Sequence, residues 1–99
     1  MSESSLTIGV LGGMGPMATI DLLQRIIRLT PALDDVDHIR TLVDNNPKVP
    51  SRINHLINRQ GENPAPVLVS MAESLESMGA DFLVMPCNTA HLYAQEIES

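Results

Sequence analysis

The sequence predicts an α/β fold: a three-layer sandwich with a parallel sheet between helices. Three observations lead there. Short apolar, partly β-branched runs alternate with segments of helical period. Each run stops at glycine, proline or asparagine. The segments between runs are long enough to hold a crossover helix, which a parallel pair of strands requires.

The elements follow in order. Leu6 to Leu11 (LTIGVL) reads as a buried strand, closed by Gly12-Gly13. Pro16 suits a first helical turn. From Pro16 to Leu29, the apolar residues Ile20, Leu23 and Ile27 return about once a turn, between Asp21, Gln24, Arg25 and Arg28. Thr30-Pro31 ends that helix, because a residue before proline disfavours helical backbone. His38 to Val43 reads as a second strand, and Asn45 to Arg52, rich in Pro and Asn, as a loop. Ile53 to Asn58 fits a short helix. Pro64 to Met78 fits a longer one, with Val67, Met71, Leu75 and Met78 on one stripe and Gly79 as its left-handed stop. Asp81 to Met85 is a third strand, stopped by Pro86. Asn88 to Glu98 is a last helix, with Asn88 or a neighbour at its cap. The fold class is therefore of flavodoxin or Rossmann type.

Composition narrows the function. Six Lys and Arg against twelve Asp and Glu give 99 residues a net charge of −6. The acidic residues are scattered, which makes a solvated acidic surface. A nucleic-acid partner would need clustered basic residues, so that class is excluded. Hydrophobic content of 43% is too high for intrinsic disorder. Tyr93 and Phe82 are the aromatic residues, so the core is aliphatic, with Met14, Met17, Met71, Met78 and Met85 as flexible filler. The one cysteine, Cys87, rules out a disulfide framework or a multi-cysteine metal site within the chain. No apolar run approaches the roughly 20 residues of a membrane span. The first residues lack the basic start of a signal peptide, so a reduced cytoplasmic setting is expected.

In open parallel sheets, ligands bind beyond the carboxyl ends of the strands. Gly12 to Pro16 (GGMGP), Asp44 to Arg52 (DNNPKVPSR) and Pro86 to Thr89 (PCNT) all fall on that rim. Gly13-x-Gly15-x-x-Ala18 matches the permissive dinucleotide pattern, but Pro16 removes a donor. The acidic residue such a site needs would be Asp34 or Asp35, ahead of the second strand instead of at its end. A tight turn or an anion cradle are the other readings. Cys87 lies at an expected helix start, where backbone N–H groups and the helix dipole lower a thiol pKa. It is either a reactive thiol or a buried structural one. Asn88 and Thr89 carry donors that would bind a carboxylate or merely cap the helix. Arg52 offers a bidentate fork for a carboxylate, or is a surface arginine. Asp44 and Asn45 line the same rim or form a turn. His91, one turn past Cys87, tunes the thiol or is structural. His38 and His55 show no functional pattern.

Together, GVLGGMGPMAT, DNNPKVPSR and MPCNTAH resemble the N-terminal half of the aspartate/glutamate racemase family, over about Ile8 to His91. The resemblance implies a cofactor-independent amino-acid racemase built of two similar lobes, with its site in the cleft between them. One cysteine from each lobe flanks the α-carbon; a thiolate removes the α-proton and the opposite thiol returns one. Cys87 matches the first-lobe acid/base. Asn88, Thr89 and Ala90 match the substrate-contacting segment, and Arg52 the carboxylate-binding arginine. The glycine loop, with Met14 and Gly15, would floor the cleft, and Asp44 and Asn45 would wall it. The resemblance further implies an amino dicarboxylic acid substrate, aspartate or glutamate, and a homodimer, with no cofactor, nucleic acid or membrane partner.

Family members are about twice this length, so residues 1–99 correspond to the first lobe. The second lobe, with its cysteine, lies outside the chain. The fragment alone is then expected to be inactive, and poorly soluble or oligomeric. Two other classes stand beside this reading. One is a sibling enzyme of the hydantoin racemase, maleate isomerase or arylmalonate decarboxylase type. The other is a non-catalytic module that binds a carboxylate or pairs with another chain.

Overall fold

The computed structural model describes residues 6–56 and 58–86, apart from the Ile53 side chain. The elements are β1 (Thr7–Gly12), α1 (Pro16–Leu29), a 3-10 turn (Asp35–Asp37), β2 (Arg40–Asn45), α2 (Arg52–Leu56), α3 (Ala65–Ser77) and β3 (Phe82–Val84). The strands form one parallel sheet in the order β2-β1-β3. The expected α/β architecture is therefore present, with β1 at its centre. The expected helix from Asn88 to Glu98 lies outside the described residues.

β1 is buried along its whole length, as its unbroken apolar run requires. Its alternation assigns the two helical layers. Leu11 joins a buried cluster with Met14, Val49 and the α3 residues Ala65, Leu68, Met71, Ala72 and Leu75; Leu42 and Leu83 pack on its margin. Gly12 faces the other way, where a Cβ would lie 2.6 Å from the Thr19 side chain of α1. So α3 covers one face and α1 the other.

β2 begins at Arg40, two residues later than the sequence suggests, because local polar bonds claim the chain before it. The Asp34 carboxylate accepts from Asp35 N at 2.8 Å, and Asp37 accepts from Asp34 N at 3.1 Å. This reciprocal capping box winds Asp35–Asp37 into a 3-10 turn that the apolar pattern did not reveal.

α3 packs as expected but is rotated. Leu68 and Ala72 carry its burial along with Met71 and Leu75, while Met78 is exposed. Asn63 Oδ1 accepts from Ala65 N at 3.0 Å at its start, and Gly79, at φ 108°, ends it. The start and end of α1 match expectation, but Ile20 and Ile27 remain 44% and 57% exposed. Its anchor to the sheet is Thr19, the one fully buried residue of the helix.

At the amino-terminal rim, Thr7 N donates to Asp81 Oδ2 at 2.7 Å and Asp81 N donates to Thr7 O at 2.8 Å. This pair joins the starts of β1 and β3. The carboxyl rim is left to loops.

Candidate functional site

Two of the three rim loops lie within the described residues, and main-chain geometry welds them together. Gly13 has φ 102°, a conformation that L side chains rarely adopt. A Cβ there would also fall 2.3 Å from the backbone carbonyl of Asn46. Asn46 N donates to Gly12 O at 3.0 Å, extending the β1–β2 ladder by one bond. Glycine is needed at position 13 because the β2 loop passes directly against it.

The glycine loop is fixed from its other side by Thr19. Gly13 N donates to Thr19 Oγ1 at 2.9 Å in a buried bond, and Thr19 N donates to Gly15 O at 3.3 Å. The Gly13 N–H is therefore engaged within the protein. With Pro16 lacking an N–H, this loop has fewer donors for a phosphate than a dinucleotide turn presents. The tight-turn reading fits it better.

Met14 projects its side chain into the core, at 4% exposure. Gly15 is exposed and extended, as the cap residue of α1. Asn45 is exposed and pairs with Gly12 in the sheet register. Its neighbour Asn46 does more of the structural work, and sequence reasoning missed it. Asn46 Oδ1 accepts from Lys48 N at 3.0 Å, which turns the chain, while Asn46 Nδ2 lies 3.6 Å from Met71 Sδ. Asn-x-Lys after a strand is an Asx-turn signal, and that could have found it. Thr19 was also missed, since a hydroxyl on a helix face carries no pattern of its own.

Arg52 opens α2, at the end of the loop that Val49 anchors in the core. Its side chain is half-buried and folds back over its own loop. Nη1 donates to Val49 O and Pro50 O at 3.5 and 3.4 Å, both long bonds. Nε is buried and has no hydrogen-bond partner among the described residues. A buried guanidinium donor without an acceptor is costly. A carboxylate accepting from Nε and a terminal nitrogen would satisfy it.

The third loop falls where the description ends. Cys87, Asn88, Thr89, Ala90 and His91 lie outside the described residues, which reach Pro86 at the carboxyl end of β3. Among the described residues no group of three His, Cys, Asp or Glu could hold a metal ion, and no helix is long and apolar enough to cross a membrane.

The fold and rim define a class: a parallel α/β domain whose carboxyl-end loops carry a glycine turn and an arginine with an unsatisfied donor. Residues 11–99 match the Asp/Glu/Hydantoin racemase family, and the chain belongs to it. It is 34% identical over 95 residues to the broad specificity amino-acid racemase RacX of Bacillus subtilis, covering 92% of this chain and 40% of that protein. It is also similar in structure to Picrophilus torridus aspartate racemase, with TM-score 0.85 and 36% identity, covering 92% of this chain and 39% of that one. The chain thus spans about 40% of the length of these relatives.

Proposed function

We propose that this chain is the first lobe of a racemase that interconverts the L and D forms of aspartate or glutamate by two-base proton transfer between thiols. The observation that carries the reading is the buried Nε of Arg52, unpartnered among the described residues, on the carboxyl rim where open parallel sheets bind their ligands. It supports a carboxylate ligand there, and an α-amino acid brings one.

In this mechanism Arg52 clamps a carboxylate through its fork and fixes the α-carbon relative to the rim. The welded Gly12–Gly15 and Asn46–Arg52 loops keep that anchor rigid. Cys87, as thiolate, takes the α-proton, and a cysteine from a second lobe donates one to the opposite face. Asn88 and Thr89 donate to the carboxylate whose charge grows as the proton leaves. No cofactor is needed to hold that charge if the donors are preorganised and water is excluded. A single rim reaches one face of the α-carbon, so the chemistry requires the second lobe.

The test is co-expression of the chain with the second lobe of a family racemase. L-aspartate is followed by optical rotation, and exchange of its α-proton in D₂O by NMR. Racemisation and exchange are expected together, both lost in Cys87→Ala. Exchange that survives Cys87→Ala, or no turnover of aspartate or glutamate by a folded complex, would refute the proposal.

A further inference from the structure

Asp44 stands next to the end of β2 and pairs with Leu11 in the sheet register, so its side chain shares the α3 face with Leu42. It is half-buried, and no described residue gives its carboxylate a hydrogen bond or an ion pair. Arg40 lies on the same face but about 13 Å back along the strand, since each residue advances roughly 3.3 Å. A carboxylate partly withdrawn from water is stabilised by a cation or a donor, and the described residues supply neither.

The carboxylate opens on a groove of about 360 Å³ between the end of β2 and α3. The helix builds its wall in two rows. Pro66, Ser70 and Ser74 recur every fourth residue, so the two hydroxyls stand one turn apart, with roughly 5–6 Å between Cβ atoms. Val67 and Met71 recur in the same way one position on and give the groove its apolar surface. Asn46 lines it at the rim, with its Oδ1 already taken by Lys48 N. No Lys, Arg or His stands among the described lining residues.

This set of groups selects its ligand. A carboxylate with no cation beside it repels an anion, the more so on a chain of net charge −6. A hard divalent ion wants more oxygen ligands than one carboxylate and two hydroxyls, and among the described residues no group of three His, Cys, Asp or Glu could hold a metal. A neutral apolar guest would strip water from Asp44 and return no hydrogen bond. A primary ammonium carries three donors and no acceptor, which suits a carboxylate flanked by two hydroxyls. Its alkyl stem would lie along Val67 and Met71, as a lysine stem lies on apolar surface.

We propose that this groove binds a small primary aliphatic amine, with the ammonium on Asp44, the Ser70 and Ser74 hydroxyls as further acceptors, and the alkyl chain on Val67 and Met71. Its volume is near the lower end of small-ligand pockets, about 300–1,000 Å³, which fits a short chain. Gly15, Asn45 and Arg52 do not line the groove, so the proposal rests on Asp44 and α3 and not on the racemase reading.

Three probes of one shape and different charge test it: n-butylamine, n-butanol and butyrate. Each is titrated into the isotope-labelled chain at neutral pH, where the amine is charged, and followed by NMR at the Asn46, Ser70 and Ser74 amides. Butylamine should give saturable shifts with a Kd of about 1–20 mM. Butanol and butyrate should bind at least tenfold more weakly. Asp44→Asn keeps the shape and should weaken butylamine about tenfold or more. Ser70→Leu keeps the charge but fills the groove, so saturable binding should be lost; this separates a seated amine from loose attraction to an acidic surface. Lysine blocked at both ends carries the same ammonium on a peptide unit and should bind no more tightly than butylamine. Binding tenfold tighter would assign the groove to a polypeptide side chain and overturn the proposal. Absence of saturable shifts with butylamine, equal binding of butanol, or indifference to either substitution overturns it too. Circular dichroism checks each variant, and if one unfolds the other decides. If the chain aggregates alone, the same titration is read on the labelled chain in the two-lobe complex.

Discussion

Replacing Gly13 by alanine attacks the join between the two rim loops and leaves their polar groups in place. The residue sits at φ 102°, where a side chain is strained by roughly 1–3 kcal/mol. The new Cβ would lie 2.3 Å from the Asn46 carbonyl carbon and oxygen, and backbone cannot swing aside as a side chain tip can. Separating the loops breaks the bond from Asn46 N to Gly12 O, a further cost of about 0.5–1.5 kcal/mol. The sum is roughly 2–4 kcal/mol, against a total stability of about 5–15 kcal/mol for a domain of this size. For under a hundred residues that is a fall in Tm of about 10–30 °C. Gly15→Ala is the internal control, two residues away in the same motif. Its backbone is extended, at φ −97°, and a Cβ there meets nothing within 4 Å. That variant should stay within about 0.5 kcal/mol of wild type, or gain slightly from a less flexible unfolded chain. Thermal and urea unfolding followed by circular dichroism would compare the two. Equal stability in the two variants would refute the account of the loop contact.

Thr19→Val keeps the shape of a fully buried side chain but strips the acceptor from Gly13 N. It should cost about 1–3 kcal/mol in urea unfolding, the penalty of a buried donor left unpaired. Arg52→Lys in the two-lobe complex keeps the charge and loses the fork. Its kcat/KM for aspartate should fall roughly 10- to 150-fold, the equivalent of about 1.5–3 kcal/mol, and wild-type kinetics would remove Arg52 from the site.

The parts of this structure that were legible in the sequence are those set by local pattern. β1 is an unbroken apolar run ending in two glycines, and α1 begins at a proline and ends before another; both appear where expected, to within a residue. β2 starts later than the apolar pattern predicts because Asp34 and Asp37 capture the chain through side-chain bonds, which leave no mark on hydropathy. The buried stripe of α3 lies one position from the one the spacing predicts, since Val67 and Leu68 are equally apolar and only the position of the sheet decides which is buried. The apolar face of α1 looked like core in one dimension. In three dimensions, Thr19 makes the contact while Ile20 and Ile27 stay exposed. At the rim, residue types announced the glycine turn and Arg52. The welding of the loops through Asn46, and the unsatisfied Nε, depend on register and side-chain direction, and no spacing rule encodes those.

The pairing of Thr7 with Asp81 has a consequence for how the chain is made. The central strand of the sheet is also the first to be synthesised, and this contact spans 74 residues, which at roughly 5–20 residues per second means about 4–15 s of translation. Helical turns form within microseconds, so α1 can be wound long before β3 exists. During that interval β1, with Ile8, Val10 and Leu11, has at most β2 beside it, and its other edge stays open. The nascent chain therefore carries an apolar strand with one edge unpaired for seconds. Slowing translation before Asp81 should lengthen the exposure, and with it the time available for misfolding.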